Sequence, residues 1–248
     1  MSARSEFDEL LAERLTIDFF SDPSRRADVS GYVASSNTVT EEDARDFLRA
    51  WSVGLAVHKD RGQYLVGVGR VHEQFFWSGL KAVERRSFTL WLEPVITMGA
   101  IARLHLDHGW PISRLAAQSK DWAFDIVAMS SDGLCEQIAG EVKKTRMETD
   151  QLFELMVKFG AAPGTPEPPP GKARNAYKKV ASLRRSHVPI LWLIGPGHYE
   201  KTFKVKYDET GVVELRPMPS RILSYARFQS LGENADSGYF AAPDGVTD

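Results

Sequence analysis

Residues 122–143 read WAFDIVAMSSDGLCEQIAGEVK, and they predict two strands joined by a turn. The first predicted strand, residues 122–129, is apolar on both faces except at Asp125. An isolated carboxylate in an apolar strand is expensive to desolvate, so Asp125 needs a partner. Ser130-Ser131-Asp132-Gly133 is typical of a turn and divides this strand from the next.

The second predicted strand, residues 137–143, carries Glu141 and Lys143 two positions apart, so both side chains leave the same face. Opposed residues of an antiparallel hairpin share a face. If Asp125 lies opposite or diagonal to Glu141, both carboxylates and the Lys143 ammonium converge. A slip of one residue would send Asp125 to the other face. The sequence leaves this register open, and convergence is an expectation.

Two converging carboxylates favour a hard divalent cation. We expect Asp125, Glu141 and the backbone carbonyl of Val142 to bind Mg²⁺ or Mn²⁺, which prefer oxygen ligands. The predicted catalytic residues are Asp125, Glu141 and Lys143. Lys143 would orient or deprotonate an attacking water, or stabilise charge on a scissile phosphate. The alternative is a salt bridge on a solvated hairpin, with Asp125 capping the end of a strand.

The elements around the hairpin follow a definite order. A helix is predicted over residues 94–108, with Pro94 at its first position, and a strand over 111–118. Thr145 and Glu148 form a capping box for a helix that ends near residue 159. A proline-rich connector, a basic helix over residues 172–186 and an apolar strand near 188–194 complete this part. Upstream of these elements, Thr40 is the predicted N-cap of a helix that ends near residue 51.

Asp125 followed by Glu141-Val142-Lys143 resembles the PD-(D/E)xK nuclease motif. The resemblance covers roughly residues 93–194. It implies an α/β fold with a restriction-endonuclease-like core (helix, three antiparallel strands, helix, strand), and Mg²⁺-dependent hydrolysis of DNA phosphodiester bonds, with double-stranded DNA as the expected partner. The rival interpretation is a catalytically inactive nuclease-fold protein that binds nucleic acid or serves as a protein-interaction component of a larger complex.

The chain departs from the family pattern at several positions. Phe124 stands where the name of the motif has proline. Family members often add a glutamate from the first core helix, but Glu93 precedes the predicted helix and Asp107 lies near its end. Gln151-Leu152 is similar to a Gln-Leu pair of one branch of the family, although Glu154 stands where that branch has tyrosine.

A basic segment follows the connector, and no acid occurs between residues 168 and 199. Such a segment suits a phosphate backbone, although a solvated lysine-rich helix face is the plainer alternative. The residues predicted to contact DNA are Lys144, Lys172, Arg174, Lys178, Lys179, Arg184 and Arg185.

We divide the chain into an N-terminal α+β region at residues 1–90, a nuclease-like core at 91–216 and a partly disordered segment at 217–248. The first fifty residues hold eleven acids and six Lys or Arg, which argues against contact with phosphates and leaves a homodimer or a partner protein open. Phe75, Phe76 and Trp77 either pack inside this region or offer a stacking platform for bases.

Composition excludes several classes of protein. The net charge of −2 argues against indiscriminate coating of nucleic acid. Cys135 is the only cysteine, so neither an intrachain disulfide nor a cysteine-rich zinc site is possible. The acidic N-terminus is unlike a signal peptide and the apolar runs are short, so we expect a cytoplasmic protein with no membrane association.

Overall fold

A mixed six-stranded sheet lies at the centre of the fold. The computed structural model of the chain describes residues 1–22, 31–33, 38–60, 62–68, 72–78 and 88–232. In the sheet the strand order is β11-β10-β9-β8-β7-β6. The strands are β6 (Leu115–Ala117), β7 (Ile126–Met129), β8 (Glu136–Val142), β9 (Ile190–Ile194), β10 (Glu200–Tyr207) and β11 (Val213–Met218).

Neighbouring strands of this sheet are antiparallel, apart from one parallel pair, β8 with β9. The chain between the members of that pair forms two helices, α5 (Arg146–Ala161) and α6 (Lys172–Ser186). The ends predicted for the basic helix agree with those of α6. The order of elements from residue 94 onwards also agrees with the sequence, including the two helices that precede the apolar strand.

Side chains alternate between two cores, one on each face of the sheet. In β8, Ile138 and Val142 belong to the first core, which includes helix α4 (Leu92–Leu106), whereas Ala139 belongs to the second, which includes α5 and α6. The sheet is therefore covered by helices on both faces, as expected for an α/β architecture. Glu141 lies two residues after Ala139 in the same strand, so its side chain points to the same face, towards α5 and α6.

The N-terminal region packs onto α4 and shares its core. It contains α1 (Ala3–Leu10), a π-helical turn (Leu11–Leu15), α2 (Thr16–Phe20), α3 (Glu41–Ser52) and the short strands β1 (Ala56–His58), β2 (Gln63–Val66), β3 (His72–Gln74), β4 (Phe76–Ser78) and β5 (Phe88–Leu90). As predicted, Thr40 caps α3 by accepting a hydrogen bond from the Asp43 N–H. Phe75 and Phe76 are buried, which matches the packed alternative, and the side chain of Trp77 lies outside what the structure describes.

The predicted strand 122–129 is shorter than expected, because β7 begins only at Ile126. The Ser119 Oγ accepts hydrogen bonds from the backbone N–H groups of Ala123 and Phe124, both at 2.9 Å, and bends the chain. Trp122 adopts a φ of 61° in this turn and is 69% exposed. Side-chain capping thus replaces strand pairing over the first residues of the stretch.

The C-terminal segment contains secondary structure as far as residue 232. A 3₁₀ turn (Ser220–Leu223) and α7 (Tyr225–Gly232) follow β11. The Trp110 indole N–H donates to the Leu223 carbonyl at 2.6 Å, and the Trp110 ring contacts Tyr225. The rest of the segment predicted to be disordered, residues 233–248, lies outside the described residues.

No helix within the described ranges is both long and apolar enough to cross a membrane.

Candidate active site

Asp125 sits at the entry to β7, beside the end of β8. Ile126 pairs with Gly140, so the next pair outwards in this register is Asp125 with Glu141. The Asp125 carbonyl accepts from the Gln118 N–H at 2.8 Å, which fixes the backbone there. The register that brings the two acids together is therefore the one present in the structure.

The Asp125 side chain is partly buried, and its carboxyl lies close enough to Glu141 for the two negative charges to repel each other. Its Oδ2 accepts a hydrogen bond from the Val142 N–H at 2.9 Å. Burial, followed by repulsion from Glu141, raises the pKa of Asp125 to about 8, although Lys179 and Lys143 oppose the shift. The carboxyl thus lies where additional positive charge would stabilise its ionised form.

Glu141 lies between two ammonium groups and is 2% exposed. Its Oε1 accepts from Lys143 Nζ at 2.6 Å, and its Oε2 accepts from Lys179 Nζ at 2.5 Å. A buried carboxylate with both oxygens paired in this way has most of its desolvation cost offset. The pairing fixes the orientation of Glu141 at the end of β8.

Lys143 points into the site rather than away from it. Its Nζ also donates to the Val142 carbonyl at 2.8 Å and lies 3.9 Å from Glu93 Oε1. Burial alone would lower the pKa of Lys143, but Glu141 and Asp125, with help from Glu93, hold that pKa above its ordinary value. The side chain is therefore a cation at neutral pH.

Lys179 has a position that differs from the sequence expectation of a DNA-contacting surface residue. It is 5% exposed, donates to the Ala123 carbonyl as well as to Glu141, and packs over the ring of Phe124. The sequence spacing indicates this inward position, because Lys179 lies three residues after Ala176 and four before Leu183, and both of those residues face the core. Lys179 therefore belongs with Asp125, Glu141 and Lys143, which we call the acidic site, and not with a solvated face.

The other predicted DNA-contacting residues are divided among several places. Arg184 donates to the carbonyls of Phe159 and Gly211, both at 2.7 Å, and so joins α6 to its neighbours. Arg174 pairs with Glu167 and Arg185 with Asp121, and Lys178 is exposed. Only Lys144 and Lys172 lie beside the candidate site, so the seven residues do not form one surface.

An open groove of about 580 Å³ adjoins the acidic site. Its walls come from the segment before α4, the end of β8, the first half of α5 and the start of α6. Its lining includes one tryptophan and several polar or charged residues: Trp91, Glu93, Lys143, Lys144, Glu148, Gln151 and Lys172. Gln151 accepts from Lys172 Nζ at 2.8 Å, so it lies in the groove with the lysines.

The two acids considered for the first core helix have different surroundings. Glu93 lies in the first turn of α4 and approaches Lys143. Asp107 follows the end of α4 and accepts from Arg49 Nη1 at 3.1 Å. Of the two, only Glu93 belongs to the site.

The donor set suits a small, hard cation. Asp125, Glu141 and the Val142 carbonyl supply oxygen ligands, which Mg²⁺ and Mn²⁺ prefer. Among the residues that the structure describes, no group of three or more His, Cys, Asp or Glu side chains is placed to hold a metal ion. The candidate set has two carboxylates and one carbonyl, and both lysines pair with the same carboxylate, that of Glu141.

Comparisons of the chain with protein-family models, with curated proteins and with solved structures gave no match.

Proposed function

We propose that the chain is a metal-dependent deoxyribonuclease that hydrolyses phosphodiester bonds at the Asp125–Glu141–Lys143 site of a restriction-endonuclease-like core. The observation that carries the proposal is a partly buried Asp125 whose carboxyl is repelled by Glu141 and lies near Lys143. Lys143 in turn lines a groove that contains further lysines. Buried acids with strongly shifted pKa values in a cleft are typical of functional sites.

The roles follow from the contacts of each side chain. Asp125 Oδ atoms, Glu141 and the Val142 carbonyl would hold Mg²⁺ or Mn²⁺, which lowers the pKa of a bound water and offsets charge on the phosphate. Glu141 holds Lys143 by an ion pair. Because its pKa is raised, Lys143 serves better as a cation that stabilises the phosphate than as a base.

The test is cleavage of plasmid and single-stranded DNA with Mg²⁺ or Mn²⁺. We expect Asp125→Asn and Lys143→Met to lower the rate at least about a hundredfold, since each removes a charge from the reacting centre. Glu136→Gln is the matched control, because Glu136 lies at the far end of the same strand. A wild-type protein that never cuts DNA, or variants as fast as wild type, would refute the proposal.

A second function is favoured by one specific observation. Both oxygens of Glu141 are already paired with ammonium groups, so the site is charge-balanced without a metal. Such a site suits a nuclease-fold protein that binds nucleic acid without cutting it. DNA binding that depends on Lys144 and Lys172, with no cleavage under any metal, would select this function.

A further inference from the structure

We propose that the groove next to the acidic site binds an unpaired stretch of DNA, so that the preferred substrate is single-stranded. The proposal rests on the proposed nuclease function for the chemistry that follows binding, but it concerns the substrate class alone. It departs from the expectation of double-stranded DNA.

The first reason to expect single-stranded DNA is the apolar lining of the groove, which lies beside its lysines. Leu90, Leu92, Leu152 and Leu155 contribute to its walls. Trp91 lines it too and is 37% exposed, and its Nε1 donates to Glu93 Oε2 at 3.1 Å. An aromatic face and aliphatic walls bind the flat face of a base, which is accessible only when the base is not stacked in a duplex.

The second reason is a buried acceptor in the groove. Glu148 Oε2 is inaccessible to solvent and has no hydrogen-bond partner among the described residues. A buried acceptor without a donor is costly, and such atoms need an explanation. Glu148 lines the groove, so rotation of its carboxyl into the groove would let an amino or imino N–H of a base satisfy this oxygen. Those groups are available on their pairing edge only when the base is unpaired.

The charges in the groove suit the backbone that accompanies such a base. Lys144 follows Lys143 at the end of β8, and Lys172 begins α6; both are exposed and line the groove. The groove lining holds three lysines, Lys143 included, and two acids, Glu93 and Glu148, so the phosphates of a bound strand would meet a net positive charge. Single-strand binding sites combine these features, an aromatic platform and a basic path for the backbone.

The size of the groove agrees with this occupant. A volume of about 580 Å³ lies within the range of pockets for small molecules, which is room for about one or two nucleotides. Lys143 and Glu93 both line the groove and lie 3.9 Å apart, so a base held at Trp91 would place a neighbouring phosphate near the acidic site.

The experiment is fluorescence anisotropy in EDTA, where cleavage is absent, with a labelled single-stranded oligonucleotide that has no self-complementarity and a blunt hairpin whose stem contains the same sequence. We expect the single strand to bind at least about ten times more tightly than the hairpin, and Trp91→Ala to weaken single-strand binding about tenfold. Trp91→Phe, which keeps an aromatic face, should retain most of the affinity. Trp122→Ala removes an exposed tryptophan outside the groove and should leave the affinity for the single strand unchanged.

Equal or tighter binding of the hairpin, or a Trp91→Ala variant that folds normally and binds as wild type does, would overturn the proposal. The result separates this proposal from the nuclease function. Trp91-dependent binding of single strands without any cleavage supports the groove and refutes the nuclease. Cleavage of duplex that Trp91→Ala leaves unchanged supports the nuclease and refutes the groove.

Discussion

Asp125 is the residue at which burial and repulsion combine. Its carboxyl has one hydrogen bond, from the Val142 N–H, and faces Glu141 as well as Lys143 and Lys179. Because the lysines are shared with Glu141, they do not fully offset the cost of ionising Asp125. The free energy of folding therefore depends on the protonation of this one side chain.

This leads to a pH prediction for the metal-free protein. The folded-state pKa of Asp125 is raised to about 8, so above its unfolded pKa of about 4 the folded protein binds one more proton than the unfolded chain. Stability must then fall as pH rises towards 8. In EDTA, we expect the free energy of unfolding to fall by about 2 to 4 kcal/mol more for wild type than for Asp125→Asn between pH 5 and pH 8.

Urea denaturation at the two pH values measures this difference, and all other titrating groups are common to both proteins. Added Mg²⁺ should restore part of the loss for wild type at pH 8 and leave Asp125→Asn unchanged. If the free energy of unfolding changes equally with pH in the two proteins, the pKa of Asp125 is not raised in the folded state and the prediction is wrong.

Helix α6 shows how one element serves two purposes. Its basic composition suggests a solvated face, and Lys178 does point to solvent. The next residue, Lys179, turns inwards and reaches Glu141 on β8. Adjacent residues on a helix are about 100° apart, so neighbouring lysines can have opposite environments.

The two lysines therefore give a matched pair of substitutions. Lys179→Met should lower the free energy of unfolding by about 3 kcal/mol, since it leaves a buried Glu141 oxygen without its partner. Lys178→Met, on the exposed side, should stay within about 0.5 kcal/mol of wild type. Urea denaturation at pH 7 checks both. Equal effects at the two positions would contradict the inward placement of Lys179.

The whole molecule is organised around α4, which is buried along most of its length. Phe7, Phe47 and Tyr64 from the N-terminal region belong to the same core as Met98 of α4 and Ile138 of the sheet. Gly99 allows α3 to approach closely, because a Cβ there would lie 2.9 Å from the Cβ of Asp46. The described part of residues 1–90 thus covers one face of the α/β layer.

A chain that begins at residue 91 should consequently not fold on its own. Removal of residues 1–90 would expose the apolar face of α4, and large exposed apolar patches lead to association. We expect this shortened chain to be mostly insoluble, and co-production with residues 1–90 to return it to the soluble fraction. Sedimentation and far-UV circular dichroism measure this. A soluble shortened chain with a cooperative unfolding transition would show that the two parts are independent domains.

The sequence alone determined the features that depend on neighbouring residues. Thr40 and Thr145 as helix caps, the bounds of α6 and the order of elements from residue 93 to 194 follow from local propensity and periodicity. The spacing of Glu141 and Lys143 placed them on one face of a strand. The sequence overestimated β7, because the pattern of apolar residues did not show that Ser119 caps the turn before it through the N–H groups of Ala123 and Phe124.

Only the tertiary structure decided the features that depend on residues distant in the chain. The register that brings Asp125 to Glu141, the ion pair from Lys179 and the shared core of residues 1–90 join segments that are far apart in sequence. Such contacts are fixed by how whole elements pack, and a local pattern carries no information about them. For that reason the sequence indicated which residues could form the site, and the fold determined which of them do so.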